Sequence, residues 1–234
     1  MNKKLVIFEI NECDFSYFLY GAKKFNFPEI RKFLKDKEIT KTFTKDKVEG
    51  LNLDPWVQWV SVHTGRSSKK HKVLRTGQSL KKNIPQVWEM IGIKNSSIGL
   101  WGLFNSKYRN KKNINFYYPD PWNYTELAFP KNLNSYLMMP RYYAANYPNI
   151  SKFKLLFYGI NFFKKIFFSK IIIYLLKNFF SFYTIFNNAK LKSFNLYFFL
   201  DLLSLCVIKE KLLNKKLNFL IIALNSFAHY QHNY

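Results

Sequence analysis

Short apolar runs alternate along much of the chain with segments in which apolar residues recur every three or four positions. The runs predict buried strands at Leu5 to Ile10, Ser97 to Trp101 and Asn218 to Leu224, with a further candidate at Ile39 to Phe43. Helical spacing predicts helices at Phe15 to Tyr20, Phe27 to Leu34, Val57 to His63, Ile84 to Gly92 and Leu196 to Leu213. This alternation is typical of an α/β fold with a mostly parallel sheet.

The middle of the chain departs from this alternation. Residues 110–150 contain five of the eight prolines and are predicted to be rich in loops. Residues 152–186 form a Phe, Ile, Leu and Lys tract that lysines divide into stretches shorter than the ~20 apolar residues of a membrane-spanning helix. We predict one or two buried helices there; the alternative is an interfacial amphipathic helix with Lys toward anionic lipid. Residues from about 110 to 215 would then be a helical and loop cap within a single domain of residues 1–234.

The formal charge of +23 would fit a nucleic-acid or anionic-membrane partner. Only five of the 37 basic residues are Arg, however, and Arg is the usual base-contacting residue. Because Lys, Asn, Phe, Ile and Tyr share A/T-rich codons, a low-GC genome explains the charge more simply, and no nucleic-acid partner is expected. Cys13 and Cys206 form no CxxC pair and predict buried thiols in a reducing compartment.

All four histidines lie in two short segments. His63 and His71 belong to the first segment, and His229 and His232 belong to the second, close to the last residue. Histidine is the commonest metal ligand and the usual acid or base near neutral pH. We therefore interpret the two segments as two halves of one site.

Polar residues at the ends of two predicted strands point to the same place. Glu9 and Asn11 lie at the end of the first strand, and Asn225 follows the last one. Ligands of open parallel sheets bind beyond the carboxyl ends of the strands. An Asn225 oxygen and His229, one helical turn later, can face one ion, although a polar loop after a buried strand explains them equally well. His232 could share that face or be a solvated residue.

Ser61 is the candidate nucleophile. A hydroxyl near a helix N-terminus and close to cations can become a nucleophile. From spacing alone, an ordinary serine in an amphipathic helix is the better interpretation. Arg66, Lys69 and Lys70 could attract an anionic substrate or could form a solvated basic turn.

Together these segments resemble the alkaline-phosphatase superfamily, in particular its nucleotide pyrophosphatase/phosphodiesterase and sulfatase-like branches. The run Ser61-Val62-His63-Thr64-Gly65 is similar to the family's nucleophile motif, with Ser61 in the place of the nucleophile. His71 matches a downstream histidine that is mainly structural in relatives, and Asn225 to His229 matches Asp-x-x-x-His in spacing. The chain resembles the N-terminal portion of a bacterial family member, most clearly at residues 5–20, 51–103 and 218–234.

The resemblance implies a three-layer α/β core, incomplete at its C-terminus, and hydrolysis or transfer of phosphoric or sulfuric esters by attack of Ser61. It implies one or two divalent metal ions, zinc first, with magnesium or manganese as alternatives. The implied metal ligands are Glu9, Asn11, Asn225 and His229, with His63 and His232 as additional candidates. The implied partner is a phosphorylated or sulfated small molecule or glycan, and the expected location is the cytoplasm, with membrane association as an option.

Three departures from the family pattern motivate a second hypothesis. Asn11 and Asn225 stand where relatives have aspartates, and neutral amides bind a divalent cation more weakly than carboxylates. The family's later ligands would fall beyond Tyr234. The chain could therefore be a non-catalytic relative that binds a ligand or a membrane surface in cell-envelope glycan assembly. A third and weaker hypothesis is a basic nucleic-acid-binding protein.

Overall fold

The computed structural model describes residues 4–24, 26–35, 37–44, 46, 53–78, 80–91, 97–109, 113–167, 172–173, 176, 192–214 and 217–232. Within these residues, one parallel four-stranded sheet has the strand order β1-β4-β2-β3. Its strands are β1 (Leu5–Ile10), β2 (Ile98–Leu103), β3 (Ile114–Pro119) and β4 (Phe219–Leu224). The expected α/β class with a largely parallel sheet is therefore confirmed.

The helices precede, separate and follow these strands. They are α1 (Phe15–Lys24), α2 (Pro28–Lys35), α3 (Pro55–Thr64), α4 (Ser68–His71), α5 (Val87–Ile91), α6 (Asn134–Asn146), α7 (Lys152–Phe167), α8 (Lys192–Asn214) and α9 (Ser226–Gln231). In helix α3, individual residues explain where the helix begins and ends. Pro55 occupies its first turn, where no intrahelical N–H is needed, and Gly65 ends it in the left-handed region at φ 62°.

Side chains of β2, β3 and β4 are buried on both faces of the sheet. One face carries Trp101, Phe116 and Ile222, which pack against residues of α6, α7 and α8. The other face carries Leu100 and Ile221, which pack with Trp88 of α5 and its neighbours. Burial on both faces is typical of a parallel sheet between helical layers. This arrangement is compatible with the expected three-layer architecture.

Several predicted boundaries were wrong. Residues 39–43 contain no strand, and α1 continues through Gly21 to Lys24. The supposedly loop-rich residues 110–150 include β3, which belongs to the sheet, and the 13-residue helix α6. The range 110–215 is thus not purely a helical and loop cap. Of the 152–186 tract, α7 is described in full, and most of the remainder lies outside the described residues.

Helix α6 continues past Pro140, which was read as a loop signal. Proline lacks the N–H that would bond to the carbonyl four residues earlier, on Tyr136. That carbonyl instead accepts a hydrogen bond from the Tyr118 hydroxyl at 3.2 Å. A strand side chain therefore satisfies the carbonyl that the proline leaves without its helical partner.

Candidate functional site

The carboxyl ends of β1 and β4 place two asparagines side by side. The register pairs Ile10 with Leu224, so the residues that follow, Asn11 and Asn225, are neighbours. Asn11 Nδ2 donates a hydrogen bond of 2.8 Å to Asn225 Oδ1. The two strand ends that were predicted to form one site therefore do come together.

A directional chain of hydrogen bonds runs through this pair. Trp59 Nε1 of α3 donates to Asn11 Oδ1 at 2.9 Å, and Asn225 Nδ2 lies 3.2 Å from His229 Nε2. Because the amide nitrogen is a donor, His229 Nε2 accepts, and a neutral His229 carries its proton on Nδ1. The side-chain oxygens of Asn11 and Asn225 therefore each accept a hydrogen bond from an N–H group.

His229 is held as a neutral ring. Its imidazole stacks on Tyr197, with ring centroids 3.4 Å apart and planes 10° apart, and Trp122 lies 6.3 Å away on a similar plane. Burial, with a smaller effect of His232, lowers the pKa of His229 to about 4. The ring is therefore uncharged at neutral pH.

The turn between β4 and α9 is fixed by a carboxylate from α8. Asp201 Oδ2 accepts hydrogen bonds from the backbone N–H groups of Asn225 at 3.0 Å and Ser226 at 2.8 Å. Burial raises the pKa of Asp201. This contact satisfies N–H groups at the start of α9 and sets the position of Asn225.

A cleft of about 350 Å³ opens at this edge of the sheet. It is lined by Asn11, Glu12, Pro55, Trp56, Thr76, Phe104, Trp122, Asn225, Ala228, His229 and His232. On its rim His232 Nε2 lies 2.6 Å from Glu12 Oε2. These residues come from distant parts of the chain and include Pro55 and Trp56, the first two residues of α3. We take this cleft as the candidate functional site.

Glu9 and His63, two expected metal ligands, form a buried pair outside the cleft lining. Glu9 Oε1 lies 2.8 Å from His63 Nε2. The His63 ring also contacts the Trp88 ring edge, with centroids 4.9 Å apart. In the described part of the chain, Glu9 Oε2 and His63 Nδ1 have no hydrogen-bond partner. The pair joins β1 to α3.

Ser61 also lies outside the cleft lining. Its Oγ is 3.0 Å from His71 Nε2 and 3.4 Å from the carbonyl oxygen of Val57. The other ring nitrogen, His71 Nδ1, accepts the Val73 N–H at 3.0 Å, so the Nε2 of a neutral His71 carries the proton and donates to Ser61. Burial lowers the pKa of His71, which favours that neutral form. In this arrangement His71 is a donor to Ser61 and not a base for it.

The donors at the cleft do not fit the divalent metal that the family resemblance implies. The amide oxygens of Asn11 and Asn225 accept N–H groups, His229 Nε2 faces an amide N–H, and Glu12 is paired with His232. A dication prefers several carboxylate or imidazole lone pairs. No group of three or more such residues that could hold a metal is present among the described residues.

Some lining residues escaped the sequence reasoning. Thr76 and Phe104 lie in loops with no distinctive spacing. Trp122 follows the carboxyl end of β3. It was missed because the nearby prolines are loop signals, so β3 itself was not predicted. Arg66, Lys69 and Lys70 are exposed, as a solvated basic turn would be.

No protein-family model, curated protein sequence or solved structure matches this chain.

Proposed function

We propose that the cleft at the carboxyl edge of the sheet binds a phosphoric or sulfuric ester without a divalent metal, and that the chain is a non-catalytic binding protein. The observation that carries this proposal is the series of hydrogen bonds that runs from Trp59 through Asn11 and Asn225 to His229. Two amide side chains lie where a metal would need carboxylates, and their donors and acceptors satisfy one another. Such a site favours binding over metal-assisted attack.

The remaining polar groups of the cleft suit an oxyanion. Pro55 and Trp56, the first two residues of the ten-residue helix α3, line the cleft, and the N-cap residue Asp54 makes no side-chain cap. Trp56 Nε1 is a buried donor without a partner among the described residues, and Thr76 adds a hydroxyl. The acidic residue of the cleft lining, Glu12, is in contact with His232 through Oε2 and Nε2. A negatively charged ligand is complementary in sign to these donor groups and to the positive overall charge of the protein.

The second candidate is a metal-dependent hydrolase or transferase of the same esters with Ser61 as nucleophile. Its support is the family resemblance and the meeting of Asn11, Asn225 and His229 at the edge where α/β proteins bind ligands. Both candidates share one ligand chemistry and differ in turnover, so one pair of assays separates them.

The test uses p-nitrophenyl sulfate and bis(p-nitrophenyl) phosphate, which stay ionised across the neutral range. We expect calorimetric binding in the presence of EDTA and no nitrophenolate release above buffer with zinc, magnesium or manganese. Thr76→Val should weaken binding about three- to tenfold, the effect of one hydrogen bond. Ser61→Ala should leave binding unchanged. Metal-stimulated turnover that disappears in Ser61→Ala would establish the hydrolase instead, and absence of binding to both probes would refute the binding proposal.

A further inference from the structure

Helix α7 has two apolar faces: one is buried in the core, and the other exposes much of its side-chain surface to solvent. Its inner face buries Gly159, Phe162 and Ile166, and Phe162 and Ile166 belong to the core that includes α6 and α8. Its outer face exposes large side chains to between 53% and 80% of their maximum: Phe153, Leu156, Phe157, Ile160, Phe163 and Phe167. We call these six residues the outer stripe.

The spacing of the outer stripe is that of one side of a helix. Its members follow one another at intervals of one, three or four residues, which keeps them within about one third of the helix circumference. Exposed apolar surface is unfavourable in water, and monomeric proteins rarely expose contiguous apolar patches above a few hundred Å². Four large phenylalanines in such a stripe therefore indicate a partner surface.

Lysines surround the outer stripe and identify the kind of partner. Lys154 and Lys165 border it on one side, Lys152 on the other, and Lys164 lies within it. Helix α7 contains no acidic residue, and the whole chain has a formal charge of +23. A partner that binds both the apolar side chains of the outer stripe and the surrounding lysines must be apolar inside and negatively charged at its surface. A second copy of α7 would bring its own lysines against these, so self-association through this face is disfavoured.

Helix α7, as far as the structure describes it, is shorter than the core of a bilayer. A helix of 16 residues is about 24 Å long, shorter than the ~30 Å hydrocarbon core of a bilayer. None of the helices within the described residues is long and apolar enough to cross a membrane. Because the inner face is packed on the domain, α7 can meet a lipid surface only with its axis along that surface.

We propose that the outer stripe of α7 docks the protein on the surface of an anionic lipid bilayer. The apolar side chains enter the boundary between headgroups and acyl chains, and the flanking lysines lie at the level of the lipid phosphates. This proposal does not depend on the cleft or its ligand.

The experiment is flotation of the full chain with vesicles of phosphatidylcholine alone and with added phosphatidylglycerol. The variants are Phe157→Lys in the outer stripe and Asn161→Lys, one turn further and beside the stripe; both positions are exposed and both variants add one positive charge. We expect binding to the anionic vesicles only. Phe157→Lys should lower the partition coefficient at least about tenfold, since one buried phenylalanine is lost, and Asn161→Lys should keep or raise it.

Each other outcome contradicts the proposal. Equal gains for both variants would show adsorption by charge alone, without insertion. Equal binding to neutral and anionic vesicles would remove the role of the lysines. Absence of binding by the wild type, with circular dichroism showing a folded chain, would refute docking. A dimer in size-exclusion chromatography that Phe157→Lys dissociates would identify a second copy as the occupant.

Discussion

Strands β1 and β2 are both short and mainly apolar, but their surroundings are opposite. Both are six-residue parallel strands, yet Leu100 of β2 is 0% exposed and Leu5 of β1 is 53% exposed. Strand β2 has a neighbour on each side and helices over both faces, whereas β1 pairs with β4 alone among the described strands. Apolar character therefore predicted both strands, but position in the sheet decides how deeply each apolar side chain is buried and so how much it stabilises the fold.

Within β1 the usual order of burial is reversed. Its apolar residues Leu5, Val6 and Phe8 are exposed, while the polar residues at its carboxyl end, Glu9 and Asn11, are each only 5% exposed. Those two are held by His63 from α3 and by Asn225 after β4. Besides its backbone pairing with β4, the strand is thus held by side chains at its polar end, which is the end that contributes to the candidate site.

The largest expected effect is a difference in stability when the same Leu→Ala substitution is made in each of the two strands. Leu100→Ala should lower the free energy of unfolding by about 2–5 kcal/mol, because it leaves a cavity in a closed core. Leu5→Ala should cost less than about 1 kcal/mol, since half of its side chain already meets water. Urea denaturation followed by tryptophan fluorescence measures both. Equal losses would show that β1 is as tightly packed as β2.

A smaller effect tests the polar attachment of β1. Glu9→Ala removes one member of a buried pair and leaves His63 without its partner, so we expect a loss of about 3 kcal/mol. The double variant with His63→Ala should cost less than the sum of the single variants. Glu29→Ala, an exposed acid on α2, is the control and should change stability by less than about 0.5 kcal/mol. Additive losses would contradict the pair.

The third prediction concerns the buried end of β3. Asp120 accepts the Trp122 N–H, but burial raises its pKa from 3.8 to about 7 against the lowering effects of that bond and of Arg141. The folded state therefore holds a proton that the unfolded state has released, and this contribution to stability falls as the pH rises from about 4 to 7. It should be constant above that range.

Comparison with Asp120→Asn isolates this contribution from other titrating groups. The stability difference, wild type minus variant, should decrease by about 2–4 kcal/mol between pH 4 and pH 7. Denaturation at four pH values measures it. A difference that is flat, or that increases with pH, would show that Asp120 is ionised with little penalty.

The limits of sequence prediction follow from particular residues. Apolar runs predicted β1, β2 and β4 to within one or two residues, and strand direction predicted that Asn11 and Asn225 would meet. Strand β3 was missed because its flanking prolines are also loop signals. Helix α6 was missed because the Tyr118 hydroxyl that compensates for Pro140 comes from another element.

The candidate site was predictable in its location but not in its hydrogen bonding. Spacing showed that Ser61 shares a helix with His63, but it could not show that His71 Nε2 faces Ser61 as a donor. That direction depends on the Val73 N–H, a backbone contact with no sequence pattern. The role of Ser61 as a nucleophile thus stays a prediction.

The strand order also has a consequence for biosynthesis. Asn11 and Asn225, which follow the paired strands β1 and β4, are 214 positions apart, whereas β2 and β3 pair over a short span. At roughly 5–20 residues per second, β1 leaves the ribosome roughly 10–40 s before β4 exists. During that interval its apolar residues have no sheet neighbour among the described strands, so β1 stays unpaired until β4 has been synthesised.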